Sequence, residues 1–160
     1  MERIAVFSDS HGDFYSLRRA VEHQLEKSQL FVFCGDGLKD WEELQFLYPS
    51  KKFLAVRGNC DFGCDGPAVR MTEFSGRRIL LAHGHTFYVK SGLSLLQQAA
   101  LENQAELVLF GHTHLPQTFY EEGIWYVNPG SIGSPRDGKK TYAFIDFPGR
   151  SMVPSILPVL

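Results

Sequence analysis

Five of the six histidines of this 160-residue chain stand in short polar motifs with aspartate, asparagine or a second histidine. Together with two similar motifs that contain no histidine, the series is Asp9-Ser10-His11, Gly35-Asp36-Gly37, Gly58-Asn59-Cys60-Asp61, His83-Gly84-His85 and Gly111-His112-Thr113-His114. Mixed carboxylate, amide and imidazole groups suit Mn, Fe, Zn, Co or Ni better than Ca or Mg. The sequence lacks the thiolate clusters of structural zinc sites. The sixth histidine, His23, lies on a polar helix face and is expected to be solvated. The series therefore predicts transition-metal binding.

Each motif directly follows a segment with the pattern of a buried strand. The strand segments are residues 3–8, 30–34, 53–56, 77–82 and 107–110. Ligand sites of open α/β sheets lie at the carboxyl ends of the strands, so we expect the motifs to meet at one edge of the fold. Because strand side chains alternate, the aspartate and histidine of Asp9-Ser10-His11 should point to the same side.

Helical patterns separate the first three strands. Apolar residues recur at helical spacing over residues 13–27. A second helix is predicted over residues 41–48, with Asp40 as its N-cap, rather than a ligand, and Glu43 in the capping-box position. This alternation of strand and helix favours a parallel α/β arrangement.

The second half of the chain has a hairpin-rich pattern. Ser75-Gly76 and Glu122-Gly123 are predicted turns, and each is flanked by two strand-like segments. The flanking segments are residues 68–74, 77–82, 118–121 and 124–127. The remaining predicted elements are a helix over residues 91–103 and a strand over residues 141–147. Pro154 and Pro158 leave the C-terminal segment as an edge strand at best.

The composition limits the classes of function and compartment. A net charge of −2 and a pI of about 6.3 argue against nucleic-acid binding by bulk electrostatics, and leave room only for a local basic patch. Three cysteines give no disulfide framework and favour a reducing compartment. No signal-peptide pattern or bilayer-length apolar run is visible, so a cytoplasmic location is expected. Without a linker or repeat, residues 1–160 are expected to form one domain.

In order and approximate spacing, the motif series resembles the calcineurin-like metallophosphoesterase superfamily. Asn128-Pro129-Gly130-Ser131, followed by Pro135-Arg136, is similar to its small single-domain prokaryotic-type phosphodiesterase branch. The resemblance covers residues 9 to 136. It implies an α/β fold, a four-layer α/β/β/α sandwich of two mixed β-sheets flanked by helices.

The resemblance also implies a dinuclear centre of two divalent transition-metal ions. Mn²⁺ is the expected ion, and Ni²⁺, Co²⁺, Zn²⁺ and Fe²⁺ are the alternatives. The implied ligands are Asp9, His11 and His114 on the first ion, Asn59, His83 and His112 on the second, and Asp36 bridging both. The implied reaction is phosphoester hydrolysis by in-line attack of a metal-bridging hydroxide, most naturally on a small phosphodiester.

Catalytic or substrate-binding roles are expected for one of these ligands and four neighbouring residues: Asn59, Cys60, Asp61, His85 and Arg136. Asp61 is expected to fix a ligand histidine's tautomer, and His85 either supports a ligand or faces the substrate. Arg136 either holds a phosphate oxygen, together with Asn59, or is an exposed surface arginine.

Cys60 and Asn128 carry two more expectations. Some related enzymes have histidine as a general acid at the position of Cys60. A thiol, whose pKa a positive dimetal site should lower, is a poorer proton donor. Asn128 is expected to orient a histidine from a turn near the site.

Two other functions remain open from the sequence. One is a nuclease, which the low basic charge disfavours. The other is a non-catalytic, metal-binding protein-interaction scaffold, because the same fold occurs in a retromer subunit that acts in protein assembly. A candidate for every metal-ligand position favours catalysis. The natural substrate and the oligomeric state do not follow from the motifs.

Overall fold

The computed structural model covers residues 1–160 and contains two mixed five-stranded sheets with three α-helices. The strands of the first sheet are β1 (Glu2–Phe7), β2 (Leu30–Phe33), β3 (Phe53–Ala55), β9 (Thr141–Phe147) and β10 (Val153–Pro158). Their order is β10-β9-β1-β2-β3. β1, β2 and β3 are parallel, which confirms the arrangement predicted for the first half. β10 pairs only with antiparallel β9 and is an edge strand, as its prolines predict.

The second sheet contains both predicted hairpins. Its strands are β4 (Val69–Phe74), β5 (Arg77–Ala82), β6 (Leu107–Leu109), β7 (Pro116–Glu121) and β8 (Ile124–Pro129), in the order β4-β5-β6-β8-β7. The turns at Ser75-Gly76 and Glu122-Gly123 have positive φ at both central residues, the requirement of the type I′ turns that fit twisted hairpins.

Helices cover the outer face of each sheet. The helices are α1 (Phe14–Glu22) and α2 (Leu38–Leu47) on the first sheet and α3 (Ser94–Glu102) on the second. Along β1, Ala5 and Phe7 pack beneath α1 and α2, while Ile4 and Val6 face the second sheet. This alternation gives three apolar cores between four layers, and the α/β/β/α sandwich is confirmed.

The boundaries of the first two helices differ from the predictions. α1 ends at Glu22 instead of residue 27, because the buried side chain of Gln24 accepts hydrogen bonds from Arg3 and Ser28 in a sequence of tight turns. α2 begins three residues early, at Leu38, so Asp40 lies in its first turn and is not the N-cap. The Asp40 carboxylate instead accepts a 2.7 Å hydrogen bond from Ser10 Oγ.

Two short 3₁₀ turns, His85–Phe87 and Val89–Ser91, connect β5 to α3. The three cysteines are free thiols. None of the helices has the length and apolarity that crossing a bilayer requires.

Candidate metal centre

The five motifs meet at one end of the sandwich, beyond the carboxyl ends of β1, β2, β3, β5 and β6. Three groups of potential ligand atoms form there, within each of which the atoms lie within 4.8 Å of one another, and two of the groups consist entirely of predicted ligands. The first group is Asp9, His11 and His114, and the second is Asp36, His83 and His112. The structure therefore brings together six of the seven ligands that the sequence predicts, in two triads.

Asp36 belongs to the second group and also lies close to the first. Its Oδ2 atom is 3.6 Å from His11 Nε2 in the first group and 3.3 Å from His83 Nε2 in the second. Its other oxygen, Oδ1, accepts a 2.7 Å hydrogen bond from the backbone N–H of Cys60. One carboxylate oxygen thus faces both groups while the other is held by the backbone, which is the geometry a bridging ligand needs.

Asp9 supplies a test of whether a cation fits the first group. Its side chain is fully buried, and Oδ2 accepts hydrogen bonds from Ser8 Oγ and the N–H of His112. Oδ1 has no hydrogen-bond partner, although His114 Nε2 lies 3.2 Å away and His11 Nε2 lies 3.5 Å away. A buried carboxylate oxygen without a partner is costly, and a divalent ion among these atoms would satisfy it.

Backbone carbonyls orient two of the histidines. Nδ1 of His83 is 2.7 Å from the carbonyl oxygen of Cys34, and Nδ1 of His114 is 2.7 Å from that of Ser134. Because a carbonyl only accepts, each Nδ1 carries the proton and each Nε2 is free for a metal ion. The third ring, that of His112, presents Nδ1, which lies 3.1 Å from His83 Nε2.

Asp61 does not have the role predicted for it. Its buried carboxylate accepts hydrogen bonds from four backbone N–H groups and from no histidine. The donors are Asp36, Gly37, Leu38 and Gly58, at 2.7–3.0 Å. These bonds fix the loops after β2 and β3 and satisfy the N-terminus of α2 in place of Asp40.

The backbone is strained at the predicted ligands. Nine residues other than glycine have positive φ, and five of them are ligands: Asp9, His11, Asp36, His112 and His114. Single residues in this region persist only where the surroundings enforce them, and they cluster at functional sites. The packing is also close, because a Cβ at Gly58 would lie 2.1 Å from Asp36 Oδ1 and one at Gly111 would lie 2.7 Å from Asp9 Oδ2.

The charges of the centre are strongly coupled. Burial alone would raise the pKa of Asp9, but the close contacts with His11 and His114 outweigh it and hold that pKa far below its usual range. Burial opposes the charged form of His83 as well, yet the Asp36 and Asp9 carboxylates raise its pKa. Contact with Asp9 raises the pKa of His114. Burial, followed by the neighbouring His83, lowers the pKa of His112 to about 4.

Asn59 and Cys60 lie on the exposed side of the centre. Nδ2 of Asn59 is 3.5 Å from Sγ of Cys60. Burial, then the Asp36 carboxylate, raises the pKa of the Cys60 thiol in the metal-free protein, whereas the lowering expected from the sequence assumed two bound cations. Asn59, which was predicted to bind the second ion, is exposed, and its side chain contacts Cys60.

The other predicted residues surround the two groups. His85 is half-buried, with its ring centroid 5.4 Å from that of His83, and its Nδ1 atom has no hydrogen-bond partner. Arg136 is exposed, and its backbone N–H donates to the carbonyl of His114. Asn128 does not orient a histidine ring. Its Nδ2 donates to Gly111 O and to Thr113 Oγ1, so it holds the backbone of the loop after β6.

Sequence reasoning missed two features of the site. Every residue has a backbone carbonyl, so the sequence gives no sign of the two carbonyls that orient His83 and His114. A cavity of about 430 Å³ opens beside the centre, and Lys39 and Phe62 line it together with His11, Asp36 and Cys60. Phe62 is 81% exposed, and the signal available from the sequence was an aromatic residue directly after the Gly58-Asn59-Cys60-Asp61 motif.

Comparison with curated proteins finds relatives over most of the chain. The probable metallophosphoesterase YsnB of Bacillus subtilis is 32% identical over 134 residues, which is 83% of this chain and 76% of YsnB. The phosphodiesterase YfcE of Escherichia coli K12 is 28% identical over 169 residues, which is 91% of this chain and 88% of YfcE.

Solved structures with the same fold cover nearly the whole chain. A predicted phosphoesterase from Streptococcus pneumoniae superimposes with a TM-score of 0.84 at 29% identity, covering 98% of this chain and 89% of its own. Vps29 from Chaetomium thermophilum gives a TM-score of 0.79 at 18% identity, covering 99% of this chain and 89% of its own, which is a likeness of fold alone. Residues 2–149 match the family described as the calcineurin-like phosphoesterase superfamily domain. The chain belongs to the calcineurin-like phosphoesterase superfamily.

Proposed function

We propose that the protein is a dinuclear metal-dependent phosphodiesterase. The observation that carries the proposal is the position of Asp36 Oδ2, which lies 3.6 Å from His11 Nε2 and 3.3 Å from His83 Nε2. In this proposal Asp9, His11 and His114 hold the first ion. Asn59, His83 and His112 hold the second, and Asp36 is shared.

Two divalent ions held by these residues would supply a hydroxide near neutral pH and would neutralise charge on the phosphate oxygens. Asp9 and Asp36 offset two of the four positive charges, and the histidines and Asn59 are neutral ligands. The loaded centre therefore keeps a positive charge, which attracts an anionic phosphoester. Mn²⁺ is the ion we expect, with Ni²⁺, Co²⁺, Zn²⁺ or Fe²⁺ as alternatives, since carboxylate and imidazole ligands accept all five.

We expect the substrate to bind next to His85, Arg136 and the cavity. Burial, then the neighbouring His83, lowers the pKa of His85, which keeps its imidazole neutral near pH 7 and able to donate one hydrogen bond to a phosphate oxygen. We assign a second phosphate contact to the exposed side chain of Arg136. The leaving group would occupy the cavity of about 430 Å³ that adjoins His11 and Asp36.

Two considerations favour a small phosphodiester. YfcE, which is named a phosphodiesterase, matches 91% of this chain. The net charge of −2 disfavours a nuclease that relies on backbone electrostatics. A scaffold that binds no metal ion would not need the unpartnered oxygen of Asp9 or the five strained ligand residues, and both cost stability.

The test is hydrolysis of bis(p-nitrophenyl) phosphate by protein first stripped with a chelator. We expect no turnover until Mn²⁺ is added, and Ca²⁺ should restore much less. His23→Ala is the matched control, because His23 is an exposed histidine outside the motifs, and it should behave like the wild type. Turnover by protein shown to be metal-free, or none with any of the five ions, would contradict the proposal.

A further inference from the structure

Cys60 belongs to a third group of potential ligand atoms. Its sulfur, one ring nitrogen of His11 and one carboxylate oxygen of Asp36 lie within 4.8 Å of one another. His11 and Asp36 are also ligands of the first ion in the proposed function. The ligand set that the family resemblance implies contains no sulfur, so Cys60 is an additional donor at this ion.

We propose that Cys60 binds the first metal ion as a thiolate and makes this position selective for soft divalent ions. The inference rests on the proposed two-ion centre. Thiolates favour Zn²⁺, Cd²⁺ and Co²⁺ over Mn²⁺, which prefers oxygen and nitrogen donors. The two positions of the centre then differ in chemistry. The second group contains carboxylate, amide and imidazole only and suits Mn²⁺, and Mn²⁺ also fills the first position where softer ions are absent.

The loop after β3 holds the Cys60 sulfur close to His11 and Asp36. The N–H of Cys60 donates to Asp36 Oδ1 at 2.7 Å, and the N–H of Gly58 donates to Asp61 Oδ2 at 2.7 Å, so both ends of the turn are fixed. A sulfur bound at about 2.3 Å and a nitrogen bound at about 2.1 Å are at most about 4.4 Å apart. A small side-chain adjustment therefore brings Cys60 and His11 onto one ion.

Two observations support a metal-bound thiolate at this position, with the thiol proton released to solvent as the ion binds. The amide Nδ2 of Asn59 lies 3.5 Å from Sγ and points a donor at the sulfur. The fully buried Oδ1 atom of Asp9 has no hydrogen-bond partner and lies 3.5 Å from His11 Nε2, so it marks a cation position beside the histidine that Cys60 shares.

The other cysteines provide controls within the chain. Cys64 lines the same cavity as Cys60 but belongs to none of the three ligand groups. Cys34 is fully buried, and its carbonyl, not its sulfur, contacts His83. Cys64→Ser therefore removes a nearby thiol without removing a proposed ligand, and Cys60→Ser is the isosteric change at the ligand.

The direct test is the absorption spectrum of the Co²⁺-loaded protein. We expect an intense thiolate-to-cobalt charge-transfer band in the near ultraviolet for the wild type and for Cys64→Ser, and its loss in Cys60→Ser. A wild type without this band at full cobalt loading, or a Cys60→Ser variant that keeps it, would overturn the proposal. This readout is independent of catalysis.

Metal affinity gives a second measurement. Cys60→Ser should weaken Cd²⁺ binding about tenfold or more, because even outer partners of a ligand are worth that much, while Mn²⁺ binding should change far less. Equal effects on Cd²⁺ and Mn²⁺ would overturn the selectivity. A cobalt band without phosphoester turnover would support the thiolate ligand and contradict the proposed function. Turnover without the band would support the proposed function and contradict the thiolate ligand.

Discussion

The backbone N–H of Asp36 donates a 2.8 Å hydrogen bond to Oδ2 of Asp61, and this bond joins the loops that follow two neighbouring strands. The same oxygen accepts the N–H of Gly58, and Oδ1 accepts those of Gly37 and Leu38. Asp61 is therefore a positioning residue. It determines where the Asp36 carboxylate lies and does not itself enter either ligand triad.

Asp61→Asn should lower both the stability of the protein and its affinity for metal ions. The amide would turn N–H donors toward backbone N–H groups and leave buried donors unsatisfied, at a cost of about 2–3 kcal/mol. Urea unfolding of the metal-free protein measures the change. Asp65→Asn, an exposed change in the same loop, is the control. Equal unfolding midpoints for the two variants would show that the four hydrogen bonds are dispensable.

Asp36→Asn should lose more bound metal than Asn59→Ala. A bridging carboxylate serves both ions and contributes charge, whereas Asn59 is a neutral and exposed ligand of one ion. Metal per chain, measured by elemental analysis after loading and desalting, should fall below one for Asp36→Asn and stay above one for Asn59→Ala. Two retained ions and near-normal turnover in the Asp36 variant would refute the bridging assignment.

The rate of hydrolysis should depend steeply on the pKa of the leaving group. Cys60 stands where some related enzymes have an imidazole acid, and a metal-bound thiolate has no proton to give. General acid catalysis contributes about 10²–10⁴-fold, so aryl phosphodiesters should react far faster than alkyl ones. In saturating Mn²⁺, whose binding depends little on the thiolate, Cys60→His should accelerate the alkyl esters selectively, and Cys60→Ala should keep most aryl activity. A flat leaving-group series in the wild type is the outcome this explanation does not allow.

Metal affinity should fall as the pH is lowered. The pKa values of His83 and His114 are raised in the metal-free protein, so as the pH falls each ring takes up a second proton, on Nε2, which an incoming ion must displace. Affinity is therefore highest above these pKa values and is lost as the pH falls through them. His112, with its pKa lowered to about 4, does not compete in this range. Calorimetric titration with Mn²⁺ between about pH 8 and pH 6 should show the decline, and a constant affinity would contradict it.

Much of the fold could be predicted from local patterns. The parallel strands β1 to β3 and both type I′ hairpins follow from apolar runs and from Ser75-Gly76 and Glu122-Gly123. The division into two packed sheets came from the family resemblance, because strand periodicity does not state which sheet a strand joins. The ends of α1 and α2 were wrong because tertiary hydrogen bonds of Gln24 and Asp61 set them, and no local signal reports such partners.

The ligand residues of the candidate site could be predicted from the sequence, but the groups that orient them could not. The strand-end positions of Asp9, Asp36, His83 and His112 were enough to expect their meeting. The carbonyls of Cys34 and Ser134 were invisible to sequence reasoning, and Asp61 was assigned to a histidine because its backbone donors have no side-chain signature. The position of Cys60 Sγ relative to His11 required coordinates.

The central claim is that one site holds two ions with Asp36 between them. The most direct measurement is anomalous diffraction from crystals of the Mn²⁺-loaded protein. We predict two peaks about 3.5–4 Å apart, one beside Asp9, His11 and His114 and the other beside His83 and His112, with Asp36 Oδ2 touching both. A single peak, or peaks away from Asp36, would contradict the account.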